Sequence, residues 1–380
     1  MVYPGRNGSE HQERAGRTRL KSLLDLGEIP FYVGPCDSPS LPGLPNTLPF
    51  EIGVEDARIV QVPNPEVSRA LAAAYAQGSM IGTPLAETGM GRRYADDFWS
   101  FLESYDFAGK RLLELGCGSG YLLHRLSQAG ARCTGLEPGV QAQQASSHYG
   151  LEVIGDFFPS PHVEGPFDYV VHYCVLEHLE DPQAFLKAQV ELLAPKGQIL
   201  LAVPNVQPHL DAGDLSIFVH EHWSYFTPAS LRQLLATVGL QTRRQVLSSY
   251  GGLVYLEASR GLEVVTANLE IAQLLSGWRR YFERGRAVLG DGCGVGVFPA
   301  VRLMNLISML QLEACPRLFD DDPRLHGKFL PPLARAIEGR QDLLQSPVER
   351  LVLSSQAFGQ QLREQLSQES ALARTQLANL

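Results

Sequence analysis

The chain has 380 residues, too many for one ordinary hydrophobic core, so two or three domains are expected. Charged residues make up 19% and hydrophobic residues 44%, the balance of a globular enzyme, and a formal net charge of -9 argues against a nucleic-acid partner, whose phosphates need a basic face. No apolar run approaches the roughly 20 residues of a bilayer span, and the first twenty residues lack the apolar core of a secretory signal, so no membrane partner is expected. Six cysteines, at 36, 117, 133, 174, 293 and 315, form no CxxC pair. That pattern speaks against a disulfide framework and against a thiolate zinc site, and reads as a cytoplasmic enzyme with free thiols.

Residues 1–18 read as a disordered terminus and 19–107 as a small N-terminal lobe. Within its Pro- and Gly-rich first part, Phe50-Glu51-Ile52 and Arg58-Ile59-Val60-Gln61-Val62 are short β-like pieces. Asn64-Pro65-Glu66 then reads as a helix start, with a capping Asn, Pro at the first position and an acid in the first turn. A second helix is expected over about 91–105, where Tyr94, Phe98, Phe101 and Tyr105 form one stripe facing a core or a cleft.

From 108 to 260, apolar runs alternate with helical patterns. The runs begin at Arg111, Arg132, Phe167 and Gln198. Strands separated by helices predict an α/β fold with a parallel, Rossmann-like sheet. A connecting helix is expected over 261–286, from Leu262 to Gly285. A second, C-terminal Rossmann-like α/β domain is expected over 287–360 and a polar helix over 361–380. The loop Gly290-Asp291-Gly292-Cys293-Gly294 is equally readable as a phosphate cradle or a structural turn, because Asp291 adds an unfavourable charge for a phosphate.

The densest signal is Leu112-Leu113-Glu114-Leu115-Gly116-Cys117-Gly118-Ser119-Gly120-Tyr121, a strand running into a glycine turn that opens a helix. A second strand ends in Glu137, placed to bind ribose hydroxyls. The spacing Gly116-x-Gly118-x-Gly120 differs from that of a dinucleotide loop. The carboxylate of Glu114 beside the turn would repel a pyrophosphate but suits a sulfonium and an amino group. The charge pattern therefore favours S-adenosylmethionine.

This run resembles the first motif of class I methyltransferases. The resemblance implies a cofactor site built from Glu114, Gly116, Gly118, Gly120, Tyr121 and Glu137. It adds Asp156 and Phe157 after the third strand, with the Asp accepting from the adenine amino group. It also adds His172 on the fourth strand, and the loop that follows ends in Val175-Leu176-Glu177-His178.

Beyond the fifth strand, Val219-His220-Glu221-His222-Trp223-Ser224-Tyr225-Phe226-Thr227-Pro228 sets two histidines around a carboxylate. Imidazole is matched to proton removal near neutral pH, which methyl transfer to carbon requires. The alternative is that Glu221 and His222 brace the helix starting at Thr227-Pro228. No metal is expected, because His220 and His222 point oppositely in a strand and lack a third ligand.

The whole chain resembles the sugar C-methyltransferases that act on nucleotide-linked keto-deoxysugars in natural-product pathways. The likeness rests on Leu23-Leu24-Asp25-Leu26-Gly27-Glu28-Ile29-Pro30, on His220-Glu221-His222-Trp223-Ser224-Tyr225-Phe226, and on the run Phe319 to Pro331. It implies His222 as the base, with Glu221 and Tyr225 beside it. It also implies an acceptor pocket including Tyr75, His178, Asn205 and His220, and a C-terminal domain that helps to bind the nucleotide sugar. The chain departs from that family in lacking its four zinc cysteines (Val54 and Ala57 stand in one pair). It also carries Val219 where a tyrosine is common and Gly296 where a lysine is expected. Those departures keep O- or N-methylation of another small metabolite open, and also a non-catalytic scaffold retaining the cofactor fold.

Overall fold

The computed structural model describes residues 20–76, 85–354 and 359–380. The expected disordered terminus and the stretch from Gln77 to Ser79 lie outside these described residues.

The N-terminal lobe is an antiparallel sheet of β1 (Lys21–Pro30), β2 (Thr47–Glu55) and β3 (Arg58–Gln61). Leu48, Phe50 and Ile52 alternate inward along β2, the period-2 pattern of a half-buried strand. Asp56 and Ala57 turn the chain between β2 and β3, both at positive φ (49° and 58°), a turn whose twist matches the strands. The place of one expected cysteine pair is thus a tight hairpin held by packing. Helix α1 (Pro65–Ala76) starts as expected, the Asn64 Oδ1 accepting from the Glu66 amide at 2.8 Å. Helix α2 (Gly89–Leu102) ends before Tyr105. Its stripe divides: Phe98 and Phe101 pack on Tyr255, whereas Tyr94 packs tilted against Tyr250 at the cleft.

The central domain comprises β4 (Arg111–Leu115), α3 (Tyr121–Gln128), β5 (Arg132–Leu136), α4 (Gln141–Tyr149), β6 (Val153–Ile154), β7 (Phe167–Tyr173), α5 (Pro182–Leu192) and β8 (Leu193–Pro204). It continues through α6 (Gln207–Ala212), β9 (Ser224–Tyr225), α7 (Pro228–Thr237), β10 (Leu240–Leu247) and β11 (Leu253–Arg260). Its seven strands lie in the order β10-β11-β8-β7-β4-β5-β6. Strands β4 to β8 are parallel, and β11 inserts antiparallel between β8 and β10. Helices cover both faces through two apolar clusters, one including Val170, Leu201 and Phe185, the other Phe98, Leu123 and Val171. Strand β9 leaves this sheet and pairs with β3, Ile59 opposite Tyr225, as the fourth strand of the N-terminal sheet.

The connecting helix α8 (Ile271–Leu289) begins nine residues later than expected from Leu262. Residues 262–270 carry no regular secondary structure instead. Glu263 accepts from the Thr242 amide at 2.8 Å and pairs with Arg232, which ties this stretch to the sheet edge and exposes Leu262 and Val264. The C-terminal domain is a five-stranded parallel sheet. Its elements are β12 (Val295–Phe298), α9 (Met304–Leu310), β13 (Arg317–Phe319), β14 (Ile337–Glu338), α10 (Arg340–Gln345), β15 (Arg350–Leu353), α11 (Gly359–Ser367) and β16 (Gln376–Asn379). The strand order is β14-β13-β12-β15-β16. The expected polar helix over 361–380 is therefore corrected. It stops at Ser367, and the final residues form an edge strand beside β15 because Leu362, Leu366 and Leu372 are spent covering the sheet. The loop after α8 is a structural turn. Asp291 accepts from the Cys293 amide through its side chain and from the Ala314 amide through its carbonyl, both at 2.9 Å. A Cβ on Gly292 would lie 1.8 Å from the Ala314 oxygen.

The bodies are tied together. Cys36 and Phe329 exchange backbone hydrogen bonds (3.0 and 2.8 Å) between the N-terminal lobe and the C-terminal domain. Asn305 on α9 donates to the carbonyls of Leu215 and Phe218 (3.1 and 2.7 Å), just before the two-histidine motif. Among the described residues, no helix is long and apolar enough to cross a membrane.

Candidate active site

A cleft of about 1180 Å3 runs between the ends of β4, β5 and β7 and the C-terminal domain, and the N-terminal lobe supplies Tyr32 and Tyr75 to its wall.

At one end, β4 runs into Gly116, Gly118 and Gly120, all at positive φ (71°, 54° and 82°). That backbone is inexpensive only for glycine. Glu137, at the end of β5, accepts from the Gly118 amide (3.0 Å) and the Gly139 amide (2.8 Å), so one carboxylate braces both loops. Glu114 is buried beside it, and one of its oxygens has no hydrogen-bond partner among the described residues. Burial first, and then the charge of Glu137, push the Glu114 carboxyl well above the usual carboxylate range. Burial also raises Glu137, against the two amides that donate to it. Among the described residues the lining contains one Lys or Arg, Arg302 from the C-terminal domain.

Two carboxylates, one with an orphaned oxygen, fit a ligand carrying an ammonium and a sulfonium and ribose hydroxyls, and oppose a pyrophosphate. S-adenosylmethionine is such a ligand. Glu114, Gly116, Gly118, Glu137 and Phe157 line this end and would hold it.

Other expected cofactor residues lie elsewhere. Gly120 caps α3 and packs against Ala145, and Tyr121 is buried in that helix, so both serve its seating. Asp156 turns away from the cleft, accepting from the Phe157 amide (2.8 Å) and the Ser160 hydroxyl (2.7 Å). His172 is fully buried in β7 against Phe185, with burial lowering its pKa to about 3, and does not reach the cleft. An inward-facing position on a central strand explains the miss, since both faces of such a strand are covered.

At the other end, the 3-10 turn Leu176–His178 meets the two-histidine motif. The backbone fixes the junction. The Trp223 amide donates to the Glu177 carbonyl (2.8 Å), and the Gln61 amide donates to the Trp223 carbonyl (3.1 Å). His178 places Nδ1 3.2 Å from the Glu221 carbonyl, and its ring lies 4.8 Å from that of His222. Glu221 accepts from the Tyr75 hydroxyl at 2.5 Å. Burial lowers His178 and His222 to about 3, so both imidazoles are neutral at pH 7. Burial also pushes Glu177 up to about 8 and the Tyr75 hydroxyl upward, the latter helped by the Glu221 charge.

The neighbouring histidine behaves otherwise. His220 points away from the cleft into the N-terminal lobe, its Nε2 3.1 Å from the Leu48 carbonyl and its ring between Phe31 and Phe50. It is corrected from acceptor-binding to structural: the motif is a turn at His220 and Glu221, closed by the His222 amide on the Val219 carbonyl at 3.1 Å, rather than the strand expected from sequence. Tyr225 shows its ring to the cleft, but its hydroxyl donates to the Val219 carbonyl at 3.0 Å, so it braces the motif. Asn205 lines the cleft while donating to the Gly251 carbonyl at 3.0 Å. Capping of α7 falls to Thr227 and Ser230, which leaves Glu221 and His222 free of that duty. The sequence reading passed over Glu177, Tyr32, Tyr173, Tyr250, Arg302 and Asp320, all on the cleft wall. Only Glu177 carried a signal, as the neighbour of His178.

Residues 88–245 match the family described as Methyltransferase domain. A ubiquinone biosynthesis O-methyltransferase of Psychrobacter arcticus is 30% identical over 165 residues, 37% of this chain and 62% of that protein. The Pseudomonas aeruginosa protein of the same name is 32% identical over 114 residues, 28% and 49% of the two chains. The chain thus spans less than two thirds of the length of these relatives. A Burkholderia thailandensis 1,6-didemethyltoxoflavin-N1-methyltransferase aligns in structure with a TM-score of 0.41 at 17% identity, covering 54% of this chain and 96% of that one. Sequence match and loop geometry coincide: the residues matched by that family description carry a Rossmann-like sheet, and its glycine loop and paired carboxylates fit S-adenosylmethionine.

Proposed function

We propose that the protein transfers a methyl group from S-adenosylmethionine to a small-molecule acceptor bound against the His178–Glu221–His222 cluster. The observation that supports this most is a single cleft with two chemistries. Its acidic end, Glu114 and Glu137, suits a cationic cofactor, and its other end holds neutral imidazoles beside a carboxylate fixed by Tyr75. The cofactor, when bound, supplies an electrophilic methyl group. The protein holds the acceptor in line with it, excludes water, and takes a proton.

The finer reading follows the resemblance: C-methylation of a nucleotide-linked keto sugar, with His222 removing the proton α to the carbonyl and Glu221 orienting the ring. Lining residues from the C-terminal domain, among them Arg302 and Asn305, support an acceptor long enough to reach both domains. A second reading is O-methylation, favoured by the name shared by the relatives above. N-methylation of another metabolite belongs to the same class of alternative. A non-catalytic scaffold is disfavoured by the neutral imidazoles facing the cleft.

The test is His222→Ala. Turnover should vanish while S-adenosylhomocysteine affinity, read by calorimetry, stays within about threefold. Retained turnover would remove His222 from the chemistry. NMR of the methylated product separates a new C–CH3 from an O–CH3 or N–CH3.

A further inference from the structure

We propose that Glu177, His178 and His222 form a divalent transition-metal site of the zinc type, with one coordination position open to the acceptor. Each residue offers one donor atom, and all three atoms lie within 4.8 Å of one another. The His178 Nε2 and Glu177 Oε1 are 3.8 Å apart. That is too long for a hydrogen bond but within the about 4.2 Å that two donors sharing an ion at about 2.1 Å each can span, and the wider separations in the trio, up to 4.8 Å, close to it by side-chain rotation on binding.

The surroundings are arranged as for a ligand. His178 Nδ1 faces the Glu221 carbonyl at 3.2 Å, and donating there leaves the Nε2 lone pair directed at Glu177. Glu177 is 1% exposed, and its Oε2 has no partner among the described residues. A buried acid in that state has no counter-charge for its ionised form, and a dication between the three side chains would provide one. The backbone already clamps the two halves, through the Trp223 amide on the Glu177 carbonyl. Two imidazoles and one carboxylate match catalytic zinc-type sites that keep an open position.

All three residues line the cleft. The open position would therefore take an acceptor oxygen, a hydroxyl or a ketone, and make the adjacent proton more acidic. With the ion in place His222 is a ligand rather than the base assigned to it above, and Glu221, held by Tyr75, takes that role instead. This consequence rests on the methyl-transfer reading; the ion site itself does not.

The experiment uses the full chain, stripped with EDTA and dialysed against Zn2+ or Co2+. Bound metal is read by mass spectrometry and by the visible bands of Co2+, and S-adenosylhomocysteine calorimetry is run on every sample. The expected result is one ion per chain, lost in Glu177→Gln and His178→Ala, with S-adenosylhomocysteine affinity kept within about threefold. No stoichiometric ion on the wild type, or an ion retained by both variants, overturns the site. Loss of S-adenosylhomocysteine binding by the wild type would instead overturn the methyltransferase reading and leave the metal result standing.

Discussion

The Tyr75 hydroxyl donates to the Glu221 carboxylate at 2.5 Å, across 146 residues of sequence. One hydrogen bond thus couples helix α1 of the N-terminal lobe to the acceptor motif. Hydrogen bonds to charged groups contribute about 1.5–3 kcal/mol. Tyr75→Phe should therefore lower kcat/KM roughly 10- to 100-fold by the same rule while S-adenosylhomocysteine affinity stays constant. An unchanged kcat/KM would show that Glu221 holds its position without Tyr75.

Glu137 holds two loop amides and faces the cofactor end of the cleft. Glu137→Ala removes these bonds together with those proposed to the ribose. S-adenosylhomocysteine should bind about 10- to 100-fold more weakly, measured by calorimetry. Equal affinity would place the ribose elsewhere.

The glycines of the cofactor loop separate stability from binding. A Cβ on Gly120 would meet the Ala145 Cβ at 2.6 Å on a backbone with φ +82°. Gly120→Ala should lose about 2–4 kcal/mol from left-handed strain and overpacking together, seen as a lower urea midpoint. At Gly118, φ is +54° and nothing lies within 4 Å of the added carbon. Gly118→Ala should cost only about 1–2 kcal/mol of stability. Its methyl group occupies the cradle, so cofactor binding should suffer more than in Gly120→Ala.

Burial works to raise the Asp214 carboxyl, but the His209 hydrogen bond and charge and the Ser216 contacts outweigh it and hold the pKa below 3.8. A carboxylate with a lowered folded-state pKa contributes stability above its unfolded value, and loses it as pH falls through the folded value. Asp214→Asn should therefore cost about 1–3 kcal/mol at pH 7. The gap to wild type should narrow in urea titrations as pH falls below 3.8. A gap independent of pH would assign the effect to packing.

Much of the central sheet was legible because its strands are continuous apolar runs and its glycine loop has a spacing with a charge logic. Glu114, Glu137 and Phe157 line the cleft for that reason. His172 and Asp156 misled because sequence order places a residue near the end of a strand without saying which way its side chain points. Strand β1 was missed because Gly27 and two register shifts interrupt its alternation. Strand β16 was missed because Gln376 to Asn379 is polar, and only its place beside β15 makes it a strand. Glu177 showed in the sequence only as the neighbour of His178; its nearness to His222, 45 residues away, is legible only in three dimensions.

The pairing of β3 with β9 bears on how such a protein could be recombined. The block 88–245 omits β11, which fills the sheet between β8 and β10, and leaves Tyr75 and Gln61 behind. Grafted alone onto a relative, that block would carry the cofactor loop but set the acceptor motif against a foreign lobe. Acceptor preference should instead travel with residues 21–76 and 205–226 exchanged together, a unit that is discontinuous in sequence and continuous in space.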